Sequence, residues 1–136
     1  MSRQEVTARD FLFTLMGSPH ESDAVGTALQ LASAMLERGA DVSVWACGNS
    51  TLLTQASLER VKPVNVFDRE ADHPTSAAFA GDLLARHAGR FEWAVCHFCS
   101  HERGATTHVD GVRTRPAMFY PRFVAAARRT ITVGRL

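Results

Sequence analysis

Two apolar runs with a helix pattern between them constrain this chain most. Phe11-Leu12-Phe13-Thr14-Leu15-Met16 is nearly continuous in apolar side chains. That pattern fits a strand covered on both faces, not one with a wet side. Gly17-Ser18-Pro19-His20-Glu21 follows as a helix start: Ser18 caps, Pro19 takes the first helical position, and Glu21 completes an S-x-x-E box. Val25, Ala28, Leu29, Ala32, Met35 and Leu36 then recur at three and four, the period of a helix with one buried face. Gly39 stops it, and Val42-Ser43-Val44-Trp45-Ala46-Cys47 is a second apolar run. Strand, helix and strand with short joints predict a right-handed parallel unit.

The rest of the chain continues the alternation. Residues 51–61 read as a less regular helix broken by Pro63, and residues 64–67 as a short strand. Residues 68–75 form a loop. Residues 76–87 form a helix with Ala77, Phe79, Ala80, Leu83 and Leu84 inward, and Gly89 ends it. Phe91–Cys96 is a further buried strand. Ala105–Arg115 reads as irregular, with a turn at Asp110-Gly111. The last helix starts at Pro121, after a short turn, and runs to about Arg128; Thr130–Val133 closes as a strand. Behind a flexible tail over residues 1–9, residues 10–136 are expected to form one three-layer α/β domain. Its sheet is expected to have four or five mostly parallel strands.

In such sheets ligands and reactive groups gather beyond the carboxyl ends of the strands. Three segments fall there: Gly17–His20, Cys47–Ser50 and Cys96–Gly104. The last reads Cys-His-Phe-Cys-Ser-His-Glu-Arg-Gly and concentrates the reactive side chains. A cysteine between a buried strand and the next helix meets backbone N–H groups that favour the thiolate. Arg103 and nearby histidines add positive charge. Such a thiolate attacks sulfur donors, carries a persulfide or forms a disulfide. His20, at the front of the first helix, is a candidate acid or base beside it.

Composition narrows the classes. With 136 residues the chain buries a core without disulfides, and its cysteines, Cys47, Cys96 and Cys99, are odd in number. No apolar run approaches the roughly 20 residues of a membrane helix. The polar opening MSRQEVTARD has no signal-peptide core, so a cytoplasmic location is expected. Residues 1–85 carry 6 basic and 11 acidic side chains, a balance of −5, while residues 86–136 carry 9 and 3, a balance of +6. Such asymmetry suits an acidic partner or self-association, or simply averages out once the halves interleave. The aromatic–basic interleaving of a single-strand nucleic-acid binder is absent.

The segment Cys96–Gly104 resembles the cysteine segment of the DsrE/DsrF-like sulfur-relay family. There a strand ends in a cysteine, an Arg-Gly pair follows several residues on, and a second cysteine often stands three after the first. The opening strand, Gly17–Pro19, the alanine-rich helix with Leu29-x-Leu31-Ala32, and Gly39-Ala40-Asp41-Val42 before an apolar strand are similar to that family's first half. The resemblance spans about residues 10–134. It implies a flavodoxin-like fold, homo- or hetero-oligomers, and exchange of sulfur with a small carrier protein as donor or acceptor. It maps the persulfide to Cys96 and the optional second thiol to Cys99, with no cofactor. His97, Phe98 and His101 around the cysteines depart from the family's pattern, and residues 52–72 match it poorly.

Other readings fit the same residues. A C-x-x-C pair is a reversible disulfide in thioredoxin-like proteins, although the rest of that pattern is missing. Cys96, Cys99, His101 and His108 are all zinc or soft-metal ligands, which makes an oligomeric metal- or ligand-binding module the alternative to a sulfurtransferase. The cysteines, Cys47 above all, are also ordinary core residues. Arg103 either steadies an anionic persulfide or pairs with Glu102 or Asp110. A phosphate or flavin site at Gly17–Ser22 is disfavoured by Glu21 and Asp23.

Overall fold

The structure is a computed structural model that describes residues 6–17, 23–58 and 73–134. Its elements in chain order are β1 (Arg9–Met16), α1 (Ala24–Glu37), β2 (Val42–Cys47), α2 (Ser76–Arg86), β3 (Phe91–Cys96), α3 (His97–Glu102), β4 (Val112–Arg115), α4 (Tyr120–Ala126) and β5 (Ala127–Gly134). The five strands form one sheet in the order β4-β3-β2-β1-β5. Every neighbouring pair is parallel. Helices cover both faces, so the chain has the three-layer α/β architecture that its alternating pattern predicts.

The two faces differ. On one, Phe13, Leu15, Val44, Trp93 and Val95 of the strands pack against Val25, Leu29 and Leu36 of α1 and Ala80 and Leu83 of α2. On the other, Leu12, Trp45, Ala94 and Cys96 pack under Phe123 of α4. The second cluster is smaller because α4 spans only seven residues. Trp45 and Trp93 point to opposite faces and are both fully buried.

β1, β2 and β3 are where the apolar runs place them, with β1 starting at Arg9; the last helix ends at Ala126 rather than about Arg128, and β5 starts at Ala127 instead of Thr130. The helix at residues 76–86 is capped by Thr75, whose Oγ1 accepts from the Ala78 N–H at 3.1 Å. A single 3₁₀ turn, Ala117–Phe119, precedes α4, and Pro121 sits in its first turn.

Two segments differ from the sequence-based expectation. The helix expected from Thr51 is instead a pair of 3₁₀ segments, Gly48–Thr54 and Ala56–Leu58. The hydroxyls here compete with the helical ladder: Thr51 donates to the Gly48 carbonyl, and Ser50 donates to the Gly17 carbonyl. The stretch expected to be irregular contains β4. Val112-Arg113-Thr114-Arg115 has one apolar residue in four and leaves no apolar run to read, because it is an exposed edge strand. The expected strand at residues 64–67 and the cap at Ser18–Glu21 lie outside the described residues. Among the described residues, no helix is long and apolar enough to cross a membrane.

Candidate functional site

Parallel pairing puts the ends of β1, β2 and β3 on one edge. Met16 is in register with Cys47, and Ala46 with Val95, so Cys47 and Cys96 end neighbouring strands. Two hydrogen bonds fasten the loops that follow. The Gly17 N–H donates to Ser50 Oγ at 2.8 Å, and that hydroxyl donates back to the Gly17 carbonyl. Ser50 is fully buried, so the tie is part of the core, not of the surface.

Three sulfurs meet at this edge. The Sγ atoms of Cys47, Cys96 and Cys99 all lie within 4.8 Å of one another. Those of Cys47 and Cys99 are 3.6 Å apart. All three cysteines are free thiols. Cys96 is only 3% exposed and belongs to the apolar cluster with Trp45 and Phe123. Cys47 and Cys99 are half-buried. Cys99 reaches the other two because α3 begins directly after β3 and its first turn folds back over the strand end.

The environment splits the thiols electrostatically. Burial pushes the Cys47 thiol up to about 11, and its bond to Cys99 and the charges of Cys99 and Cys96 push the same way. Burial also raises Cys99. That effect is outweighed by the Gly48 backbone, by hydrogen bonds from the Cys47 and Cys96 thiols and by the Arg103 guanidinium, which together hold Cys99 below the ordinary thiol range. The two directions share one cause: the Cys47–Cys99 contact raises the Cys47 pKa and lowers that of Cys99.

Arg103 stands at the rim. Its Nε donates to Asn49 Oδ1 at 2.8 Å, which ties α3 to the loop after β2. Its Nη1 donates to the Cys99 carbonyl at 3.3 Å and lies 3.6 Å from the Glu102 carboxylate. The same side chain therefore anchors the loop and places positive charge at Cys99.

Among the described residues, the histidines do not join the sulfurs. His108 is held on both sides: Nδ1 is 2.9 Å from Thr54 Oγ1 and Nε2 is 2.9 Å from Ser100 Oγ. Ser100 donates to the Ala105 carbonyl, which leaves its oxygen to accept from the His108 Nε2–H. Burial lowers the His108 pKa, against the Ala105 and Thr54 backbones, which act to raise it. His101 is exposed and lies against His97, with ring centroids 4.1 Å apart and planes tilted by 44°. His20 lies outside the described residues.

The C-x-x-C spacing is enough to find Cys96 and Cys99. Cys47, Gly48 and Asn49 carry no such spacing signal, although the end of the second strand places Cys47–Ser50 on the same edge. Their contact with Cys99 and Arg103 follows from β2 and β3 being parallel neighbours, an order that sequence patterning alone does not give.

No protein-family profile matches the chain, and no curated protein matches it significantly. Among the solved structures that match is the crystal structure of the ychN protein from E. coli, at a TM-score of 0.72 and 19% identity. The match covers 91% of this chain and 98% of that one. At that identity the likeness is one of fold: the chain is a parallel three-layer α/β domain of the kind the E. coli ychN protein has.

Proposed function

We propose that this protein is a sulfur carrier that receives a sulfane sulfur at Cys99 and holds it as a persulfide on Cys96. The observation that carries the reading is the convergence of three free thiols within 4.8 Å, with Arg103 beside Cys99 lowering its pKa. The resemblance of Cys96–Gly104 to the sulfur-relay segment supports the same chemistry.

The Cys99 thiolate attacks the outer sulfur of a donor persulfide. The donor's S–S bond breaks, the donor leaves as a thiolate, and Cys99 carries the new persulfide. Cys96 then attacks that outer sulfur, its thiol proton passes to the departing Cys99 sulfur, and Cys99 loses that proton to solvent. Each step exchanges one S–S bond for another, so no oxidant or reductant is consumed. Cys96, 3% exposed, shelters the sulfur from water and stray thiols. Release reverses the order: the sulfur returns to Cys99 and then passes to an acceptor thiol on a small carrier protein. An oligomer of this chain in the cytoplasm, without a bound cofactor, is the form in which we place this activity.

The test is intact mass spectrometry after incubation with glutathione persulfide. The wild type is expected to gain one sulfur atom, lost again on reduction. Cys99→Ser is expected to load more than tenfold more slowly, and Cys96→Ser to load but lose its sulfur quickly. A wild type that gains no labile sulfur sinks the reading. Loading of Cys99→Ser at the wild-type rate removes Cys99 as the receiving thiol.

A further inference from the structure

The same three sulfurs have a geometry that thiol exchange does not require. Exchange needs two thiols in reach of each other, whereas here a third closes a triangle. Three thiolates about 2.3 Å from one ion in a trigonal plane lie about 4 Å apart. The sulfurs of Cys47 and Cys99 are 3.6 Å apart, and no pair in the trio exceeds 4.8 Å. A central ion therefore asks for shifts below about 1 Å, within reach of side-chain rotation. The sulfurs also come from firm supports, namely two strand ends and a helical turn.

We infer that Cys47, Cys96 and Cys99 form a three-coordinate site for a soft monovalent metal ion of the copper(I) class. Thiolates select soft ions, and copper(I) is satisfied by three of them. Zinc asks for a fourth ligand. Among the described residues, no carboxylate or imidazole joins the trio. His108 has both ring nitrogens engaged by Thr54 and Ser100, and His101 is turned to solvent against His97. The surroundings suit a soft ion as well. Trp45, Ala94 and Phe123 wall the inner side, which withholds the nitrogen and oxygen donors that copper(II) prefers. Three thiolates around one positive ion leave two negative charges, and the Arg103 guanidinium, bonded to the Cys99 carbonyl, stands beside them. Each thiol releases its proton to the buffer as its sulfur binds, and no change of oxidation state is involved.

This inference does not rest on sulfur carrying, and one experiment keeps the two apart. The protein is first reduced until its mass shows no labile sulfur. It is then titrated without oxygen with copper(I), added as the acetonitrile complex, against a chromophoric copper(I) chelator. The expected result is one ion held per chain, with X-ray absorption showing three sulfurs at about 2.3 Å. Cys47→Ser is expected to weaken binding at least tenfold and lower the sulfur count to two, while His101→Ala leaves both unchanged. Loss of the ion to the chelator overturns the inference. So does a two-sulfur site in the wild type, unchanged affinity in a folded Cys47→Ser, or tighter four-coordinate binding of zinc. If Cys47→Ser fails to fold, the wild-type sulfur count decides alone. A protein that gains labile sulfur from glutathione persulfide but fails here leaves the carrier reading intact.

Discussion

The Sγ atoms of Cys47 and Cys99 lie 3.6 Å apart although 52 positions separate them in the chain. Their contact orders the chemistry of the edge. The contact raises the Cys47 pKa and lowers that of Cys99, and the Gly48 backbone and Arg103 lower Cys99 further.

Alkylation reads this polarity directly. Iodoacetamide at neutral pH is expected to label Cys99 before Cys47, since only thiolate reacts. Because the Cys99 pKa is lowered, its labelling persists toward lower pH than that of an ordinary thiol, whereas Cys47 labels appreciably only as pH approaches about 11. Arg103→Ala removes a lowering influence and is expected to move the Cys99 profile to higher pH. Peptide mass spectrometry across pH checks the order; equal rates at Cys47 and Cys99 contradict it.

His108 makes stability depend on pH. Its folded pKa lies below the ordinary 6.5, so the fold prefers the neutral ring. That contribution is complete above the unfolded value and is lost as pH falls through the folded one, where the unfolded chain binds the proton more readily. The Tm difference between wild type and His108→Gln is therefore expected to shrink from about pH 8 to about pH 5. A gap that widens toward acid would show that the charged ring is the one stabilised.

Gly134 ends β5 with φ at +118°, and a Cβ there would sit 2.1 Å from the Met16 carbonyl oxygen. Only glycine allows this approach without moving β1. Gly134→Ala is expected to cost at least about 2 kcal/mol in chemical denaturation. A variant as stable as the wild type would mean that the end of β5 separates from β1 at little cost.

Phe123 is the buried contribution of α4 to the thinner face, with its ring 5.2 Å from that of Trp45. Phe123→Ala is expected to cost about 3–5 kcal/mol, and Phe123→Leu much less. Because Cys96 shares that cluster, the alanine variant is also expected to label faster at Cys96. Thermal melts and peptide mapping measure both effects. Unchanged Cys96 labelling in a folded alanine variant would mean that α4 is not what shields it.

The sequence by itself determined the central elements. Continuous apolar runs name β1, β2 and β3, and the three-and-four spacing from Val25 to Leu36 names α1, because periodicity is set by local geometry and burial. It also marked Cys96, Cys99 and Arg103, which stand close together in the chain. What only the tertiary structure decided is which strand ends are neighbours. The order β4-β3-β2-β1-β5 carries Cys47 from the end of a distant strand to the other two sulfurs and puts Asn49 under Arg103. It also turns Val112–Arg115 into a strand, since an edge is made by the neighbour it pairs with and not by its own apolar pattern. His108 was set apart from the sulfurs by the same means, through hydroxyls of Thr54 and Ser100 that reach it only once the chain has folded.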